Sequence, residues 1–267
     1  MQTDAISTPA TLLGPEARLE DYLAPLPHEG KYPILYGSVA VPVGSDYRSG
    51  YLARPDAAGQ FPVVLVIPGL HGLDGFEKNL ARRLARWGLA GLVVDIWDGD
   101  PEPLSAYQSK GDKEILIDLD EAFEYLQSDE VAWAIREPIG VLGLDLGGRF
   151  ALIAAAYRAW VGPCAVVSAP LTGDEDRDYQ VADILSSLSG SVLGLYGADD
   201  DLISAESVDV AQDRNSQGLW LLYDGAGHWF HDDDHPEYHA GAGEDAFVRL
   251  RDLFLQNLPA AIEEDLG

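Results

Sequence analysis

The chain has 267 residues, 47% of them hydrophobic, enough for one large domain with a full core or at most two small ones. Its formal net charge is -28, from 45 acidic and 17 basic residues. A surface this acidic repels phosphate backbones and anionic lipid, so neither nucleic acid nor a membrane is expected as a partner, and strongly anionic substrates are disfavoured unless local arginines offset the field.

Residues 1–30 form a Pro- and Ala-containing lead, mostly irregular, with His28 expected at the surface. It has no basic start followed by an apolar stretch, so a secretory signal is not expected. "ILYGSVAVPV" and "YRSGYLARP" predict a strand pair joined by "GSD". "PVVLVIPG" is a buried strand, and "FEKNLARRLARWG" has helical spacing at Leu80, Leu84 and Trp87. "AGLVVDIW" is the next strand. "GDKEILIDLDEAFEYLQ" carries a helical stripe at Ile115, Leu119, Ala122, Phe123 and Leu126. "IGVLGLD" is a strand, with a helix expected after Gly147. "PCAVVSAP", "SVLGLYG" and "LWLLYD" are three more buried strands, and "EDAFVRLRDLFLQNL" closes the chain as a helix.

Strand and helix alternate from residue 62 onward, and continuous apolar strands indicate a parallel sheet covered on both faces. No repeat, low-complexity tract or linker interrupts the pattern. The expected organisation is the lead at 1–30, one doubly wound α/β domain at 31–260 and a short tail at 261–267. No apolar run reaches the length of about 18 residues that a membrane span needs. Cys164 is the only cysteine and lies in a predicted buried strand, so no disulfide forms within the chain, and a cytoplasmic setting is the simplest expectation. Four lysines against many aspartates fit a salt-adapted surface or an ordinary acidic protein.

In such sheets the reactive groups gather at the carboxyl ends of the strands. Three strand ends carry suitable residues in chain order. Asp145 stands in "GLDLGG", "YGADDDLIS" follows the strand at 191–197, and "DGAGHWF" with His228 follows the strand at 219–224. Gly143 and Gly147 flank Asp145 at the spacing of a sharp strand-to-helix turn that holds a nucleophile up into solvent. Nucleophile, acid, then histidine is the chain order of α/β-hydrolases.

Over residues 34–258 the sequence resembles the dienelactone hydrolase family. The resemblance is carried by "VVLVIPGLHGLDGFEKNLARRLARWGLAGLVVDIW", "IGVLGLDLGGRFAL", "LYGADDDLIS" and "DGAGHWF" with "EDAFVRLRDLFLQNL". It implies an α/β-hydrolase fold: a mostly parallel central sheet of about eight strands, helices on both faces and no lid domain. By position it places Asp145 as nucleophile, His228 as catalytic histidine and Asp200 as acid, with Asp199 and Asp201 as rivals for the last role. The backbone N–H groups of Leu70 and Leu146 take the oxyanion-hole positions. No cofactor and no metal are implied, and the partner is a small-molecule substrate.

Three positions depart from the family. Asp145 replaces its cysteine, Gly69 replaces the glutamate that pairs with that cysteine, and Asp232 stands where an arginine commonly binds substrate carboxylate. A glutamate beside Asp145 would drive one of the two carboxyls to protonate, so the first two changes belong together. The third argues for a neutral substrate. An ionised Asp145 attacks a saturated carbon bearing halide, or an epoxide, to give an alkyl ester that His228 hydrolyses by activating water. Ester or lactone hydrolysis with Asp145 or His228 as general base is the second reading. A non-hydrolytic enzyme or a binding protein on a hydrolase fold is the alternative. His71, Trp97 and Trp229 are expected to line the substrate site, with Trp97, Trp133 and Trp229 as donors toward a leaving group. "HWFHDDDHPEYH" holds four of the six histidines, but Pro236 breaks the helix that would align them on a metal, so a polar loop over the site is expected. Arg149 is expected in an ion pair, and "TGDEDRD" at 172–178 as a solvated loop.

Overall fold

A computed structural model describes residues 30, 32–97, 103–173 and 175–263. The lead, including His28, lies outside the described residues except for Gly30, as do 264–267 of the expected tail. The elements in chain order are β1 (Ile34–Val43), β2 (Asp46–Pro55), β3 (Gly59–Gln60), β4 (Val63–Ile67), α1 (Gly75–Arg86), β5 (Ala90–Val94), α2 (Pro103–Ser109), α3 (Asp112–Gln127), β6 (Ile139–Leu144), α4 (Asp145–Tyr157), β7 (Val161–Val167), α5 (Val181–Ile184), β8 (Val192–Gly197), α6 (Ala205–Arg214), β9 (Leu219–Tyr223), α7 (Ala240–Asn257) and β10 (Ile262–Glu263). Eight strands form one sheet in the order β1-β2-β5-β4-β6-β7-β8-β9. β1 and β2 run antiparallel to their neighbours, and β5 through β9 pair in parallel with β4 at the centre. The fold is that of an α/β-hydrolase.

The apolar strands follow from burial on both faces. β4, β5, β6 and β8 are buried at every position. Alternate side chains serve opposite layers: Val63, Leu65 and Ile67 join the core that holds α3 and α4, while Val64 and Val66 join the one that holds α1 and α7. On α3 the stripe Ile115, Leu119, Ala122, Phe123 and Leu126 is buried. No helix among the described residues is long and apolar enough to cross a membrane.

Three details differ from the sequence expectation. "LWLLYD" forms β9, an edge strand whose one buried side chain is Trp220, because no further strand among the described residues pairs beyond it. Part of the expected tail pairs as β10 with β3. The helix expected after Gly147 begins at Asp145 itself. The described residues of 172–178 are exposed, as expected for a solvated loop, except for half-buried Arg177, which donates through Nε and Nη2 to Asp112 at 2.8 and 2.6 Å, and through Nη1 to the Tyr107 carbonyl at 2.7 Å.

Asp112 is also the partner of Arg149, as expected for that residue. Arg149 reaches both carboxylate oxygens at 2.8 and 2.9 Å, and both side chains are fully buried. Burial alone would raise the Asp112 carboxyl, but the two arginines and the Tyr179 N–H hold it below its ordinary value. Removing one partner strands the other charge in the core. Asp112→Ala is therefore expected to cost about 3–5 kcal/mol in urea unfolding. Asp129→Ala, which breaks the exposed Arg136 pair at 3.2 Å, should cost under about 1 kcal/mol.

Candidate active site

β6 enters the sheet's carboxyl edge and turns directly into α4. At the turn Asp145 has φ +44°, a left-handed conformation that costs a non-glycine residue of order 1–3 kcal/mol. The flanking glycines make the turn possible. A Cβ on Gly143 would stand 2.4 Å from the Gly148 Cα, and one on Gly147 would stand 2.3 Å from the Pro68 carbonyl oxygen. The residue is only 7% exposed. Its Oδ2 accepts the backbone N–H of Leu70 at 2.9 Å, and its Oδ1 lies 3.4 Å from His228 Nε2. Leu146 follows in the first turn of α4, where helix geometry provides no acceptor for its N–H.

His228 lies in the loop between β9 and α7. Its Nδ1 meets Asp200 Oδ2 at 2.8 Å. Asp200 Oδ1 accepts the N–H groups of Leu202 and Ile203 at 2.7 and 3.0 Å, which fixes the carboxylate in its turn. Asp199 and Asp201 are exposed, and Asp200 is the member of that run that meets the imidazole. Nε2 of His228 is buried without an aligned acceptor, so its contact with Asp145 is an ion pair rather than a formed hydrogen bond. Burial by itself would lower the imidazole pKa. The carboxylates of Asp145 and Asp200 outweigh it and hold it up at about 9. At neutral pH the centre is an imidazolium between two aspartates.

Gly69 decides what can stand beside this pair. A Cβ there would lie 3.0 Å from Asp145 Cβ and 3.5 Å from its Oδ2. A β-carbon at position 69 would thus press on Asp145, and a carboxylate carried there would repel it.

The other expected site residues divide. His71 is exposed and its ring lies 4.9 Å from that of Trp229, which in turn lies 4.8 Å from His228 and 5.3 Å from His235. These rings form an aromatic wall beside the imidazole. Trp97 does not join it. It is 1% exposed, packs edge-on to Tyr107 and Phe150, and gives its Nε1–H to the Gly69 carbonyl at 2.8 Å. Trp133 lies at the opposite end of the sheet, where its carbonyl accepts Phe61 N–H just before β4 and its ring sits under Arg54. Neither tryptophan is free to meet a leaving group, because each is engaged elsewhere.

The histidines of the 228–239 stretch do not converge. His231 is buried edge-on to Phe76 and Phe230, and burial followed by the His228 charge pushes its pKa down to about 3, so it is neutral. His235 accepts Glu237 N–H, and His239 caps α7 by accepting Ala242 N–H at 3.2 Å. Asp232, Asp233 and Asp234 bring carboxylate oxygens within 4.8 Å of one another, and Asp233 pairs with Arg83. The sequence reading missed Ser168. It is fully buried at φ +50° and donates from Oγ to the His228 carbonyl at 2.7 Å, so it ties the histidine loop to the end of β7. A lone hydroxyl ending the apolar run "CAVV" was the available signal.

The profile of the dienelactone hydrolase family matches residues 49–258. The chain belongs to that family. A carboxymethylenebutenolidase-type protein of Escherichia coli (strain K12) is 30% identical over 245 residues, covering 84% of this chain and 88% of its own length. A 2-oxo-3-(5-oxofuran-2-ylidene)propanoate lactonase-type protein of Bradyrhizobium is 30% identical over 224 residues, covering 78% of this chain and 89% of its own. A dienelactone hydrolase-type crystal structure from Klebsiella pneumoniae superimposes with a TM-score of 0.77 at 24% identity, covering 84% of this chain and 99% of that one. An alpha/beta hydrolase from Penicillium does so at 0.67 and 14% identity, covering 84% and 99%. At these identities the two structures speak to the fold. This dienelactone hydrolase family member is a hydrolase by class.

The raised imidazole pKa has a stability consequence. The folded state holds a proton on His228 that the unfolded chain, with an ordinary value of 6.5, releases earlier. The stabilisation is fully present below about pH 6.5 and is lost as pH rises through about 9. Urea unfolding between pH 6 and 10 should show a loss on the order of 3 kcal/mol that His228→Gln abolishes. Equal slopes for the two proteins would refute the assignment.

Proposed function

We propose that this chain hydrolyses a small neutral substrate through an alkyl ester formed on Asp145, with a carbon–halogen bond or an epoxide as the reacting group. The reading is carried by how the Asp145 carboxylate is held: Oδ2 on the Leu70 N–H, Oδ1 facing the imidazole. One oxygen already occupies the oxyanion position. The other is the one that attacks.

Oδ1 forms a bond to carbon as the carbon–halogen bond breaks and halide leaves with the electron pair. Alkylation removes the Asp145 charge, one of the two that keep His228 protonated. The imidazole then releases its proton to solvent and becomes a base. For an epoxide, the ring oxygen takes that proton instead. Water next attacks the ester carbon, His228 accepts a proton from it, and Leu70 N–H stabilises the charge on Oδ2. Collapse releases the alcohol and restores carboxylate and imidazolium. Attack on an ester carbonyl would give an anhydride, a far poorer intermediate.

Neutrality is supported by the engagement of three described arginines with carboxylates. Asp232 stands at the arginine position, and Arg83, Arg149 and Arg177 are engaged with Asp233 and Asp112. The relatives' names favour a second reading, lactone or ester hydrolysis with Asp145 or His228 as general base. There the substrate oxygen must displace Oδ2 from Leu70. The imidazolium must also lose its proton before it can serve as a base.

Incubation of His228→Gln protein with 1-bromobutane or styrene oxide should trap the ester. Mass spectrometry is expected to find the alkyl or hydroxyalkyl mass on the Asp145 peptide, and none in Asp145→Asn. No adduct with either reagent, together with nitrophenyl-ester hydrolysis that survives Asp145→Asn, would favour the lactone reading instead.

A further inference from the structure

We infer that Trp97 is a positioning residue for the oxyanion hole, acting through the single peptide that joins Gly69 to Leu70. The Gly69 carbonyl accepts Trp97 Nε1–H at 2.8 Å, and the Leu70 N–H on the other edge of that peptide donates to Asp145 Oδ2 at 2.9 Å. Carbonyl and N–H of a trans peptide point in opposite directions in one plane. The indole and the carboxylate therefore hold the same plane from its two sides.

The orientation is enforced rather than merely permitted. Rotating the peptide to withdraw Leu70 N–H would strip the Trp97 N–H of its acceptor in a site where the ring is 1% exposed. Leaving a buried donor unmet costs far more than a surface bond. Gly72 N–H is a second donor to the same carbonyl at 3.0 Å, which closes the 69–72 turn. Two donors on the oxygen draw electron density away from the nitrogen and make Leu70 N–H a stronger donor. The indole itself cannot swing. Phe150 of α4 and Tyr107 of α2 hold it edge-on at 6.1 and 6.2 Å, and the backbone N–H of Trp97 donates to Asp95 Oδ1 at 3.0 Å. Phe150 lies on the helix that begins with Asp145, so the acceptor carboxylate and the donor peptide are referenced to one aromatic ring.

The effect on chemistry rests on the alkyl-ester reading, but the relay itself does not, and the test separates them. Site-specific replacement of Trp97 by benzothienylalanine exchanges the N–H for sulfur with almost unchanged shape, and Trp97→Phe is the second variant. In the resting protein the Leu70 amide is expected to move upfield in 15N–1H spectra and to exchange at least about ten-fold faster, while the unfolding midpoint of the benzothienylalanine protein stays near the parent's. In single turnover with 1-bromobutane, ester formation should change little and ester hydrolysis should slow about ten-fold or more, since only the second step loads charge onto Oδ2. A Leu70 amide unmoved by both variants overturns the proposal. So does equal slowing of both steps, which is the mark of a general loss of structure. A displaced Leu70 amide with no adduct on Asp145 in any protein upholds the relay and removes the alkyl-ester reading.

Discussion

One carboxylate, held at the tip of a strained turn between a backbone N–H and an imidazolium, organises the carboxyl edge of this molecule's sheet. Asp145 sits in a left-handed backbone conformation that only tight surroundings sustain. Those surroundings are the β6–α4 junction, where Gly143 and Gly147 let backbone from β4 and α4 approach within the space of a methyl group. Strain at the turn is tolerated because the whole parallel sheet fixes the two elements that enter it. The charge is tolerated because Leu70 and His228 meet it from two sides.

Charge balance then couples positions that are distant in the chain. Two aspartates around one imidazole hold it cationic well above neutral pH. A third carboxylate at position 69 would upset that balance, and its Cβ would press on that of Asp145. Glycine at 69 and aspartate at 145 belong to one electrostatic arrangement. Elsewhere in the core the same logic recurs with the signs exchanged: Asp112 alone faces two arginines and draws α3, α4 and the 172–178 stretch together.

Much of this was legible in the order of residues. The apolar runs of β4, β5, β6 and β8 are continuous because both faces are buried, and continuity is readable without coordinates. The helical stripe of α3 is equally direct, since period and burial coincide. Asp145, Asp200 and His228 announced themselves by standing at three strand ends in chain order. β9 was read as buried because its composition matches a central strand. An edge differs from a centre only in having no neighbour, and composition does not carry that. Trp97 was assigned to the substrate site because an indole N–H near a strand end has the right chemistry. Whether that N–H points to open space or to a carbonyl is a matter of one torsion and the packing around it.

What the sequence determined by itself is the parallel α/β architecture, the sharp turn at "GLDLGG" and the residue types available at the sheet's carboxyl edge, because these depend on local periodicity and on the size of side chains adjacent in the chain. The tertiary structure alone decided which of three successive aspartates meets His228, that Oδ2 rests on Leu70, that the Trp97 indole N–H meets the Gly69 carbonyl, and that Arg149 and Arg177 share Asp112. Those outcomes depend on distances between groups brought together from separate strands. Hydrogen bonds and buried ion pairs change by whole kilocalories over an ångström, a scale no linear pattern resolves.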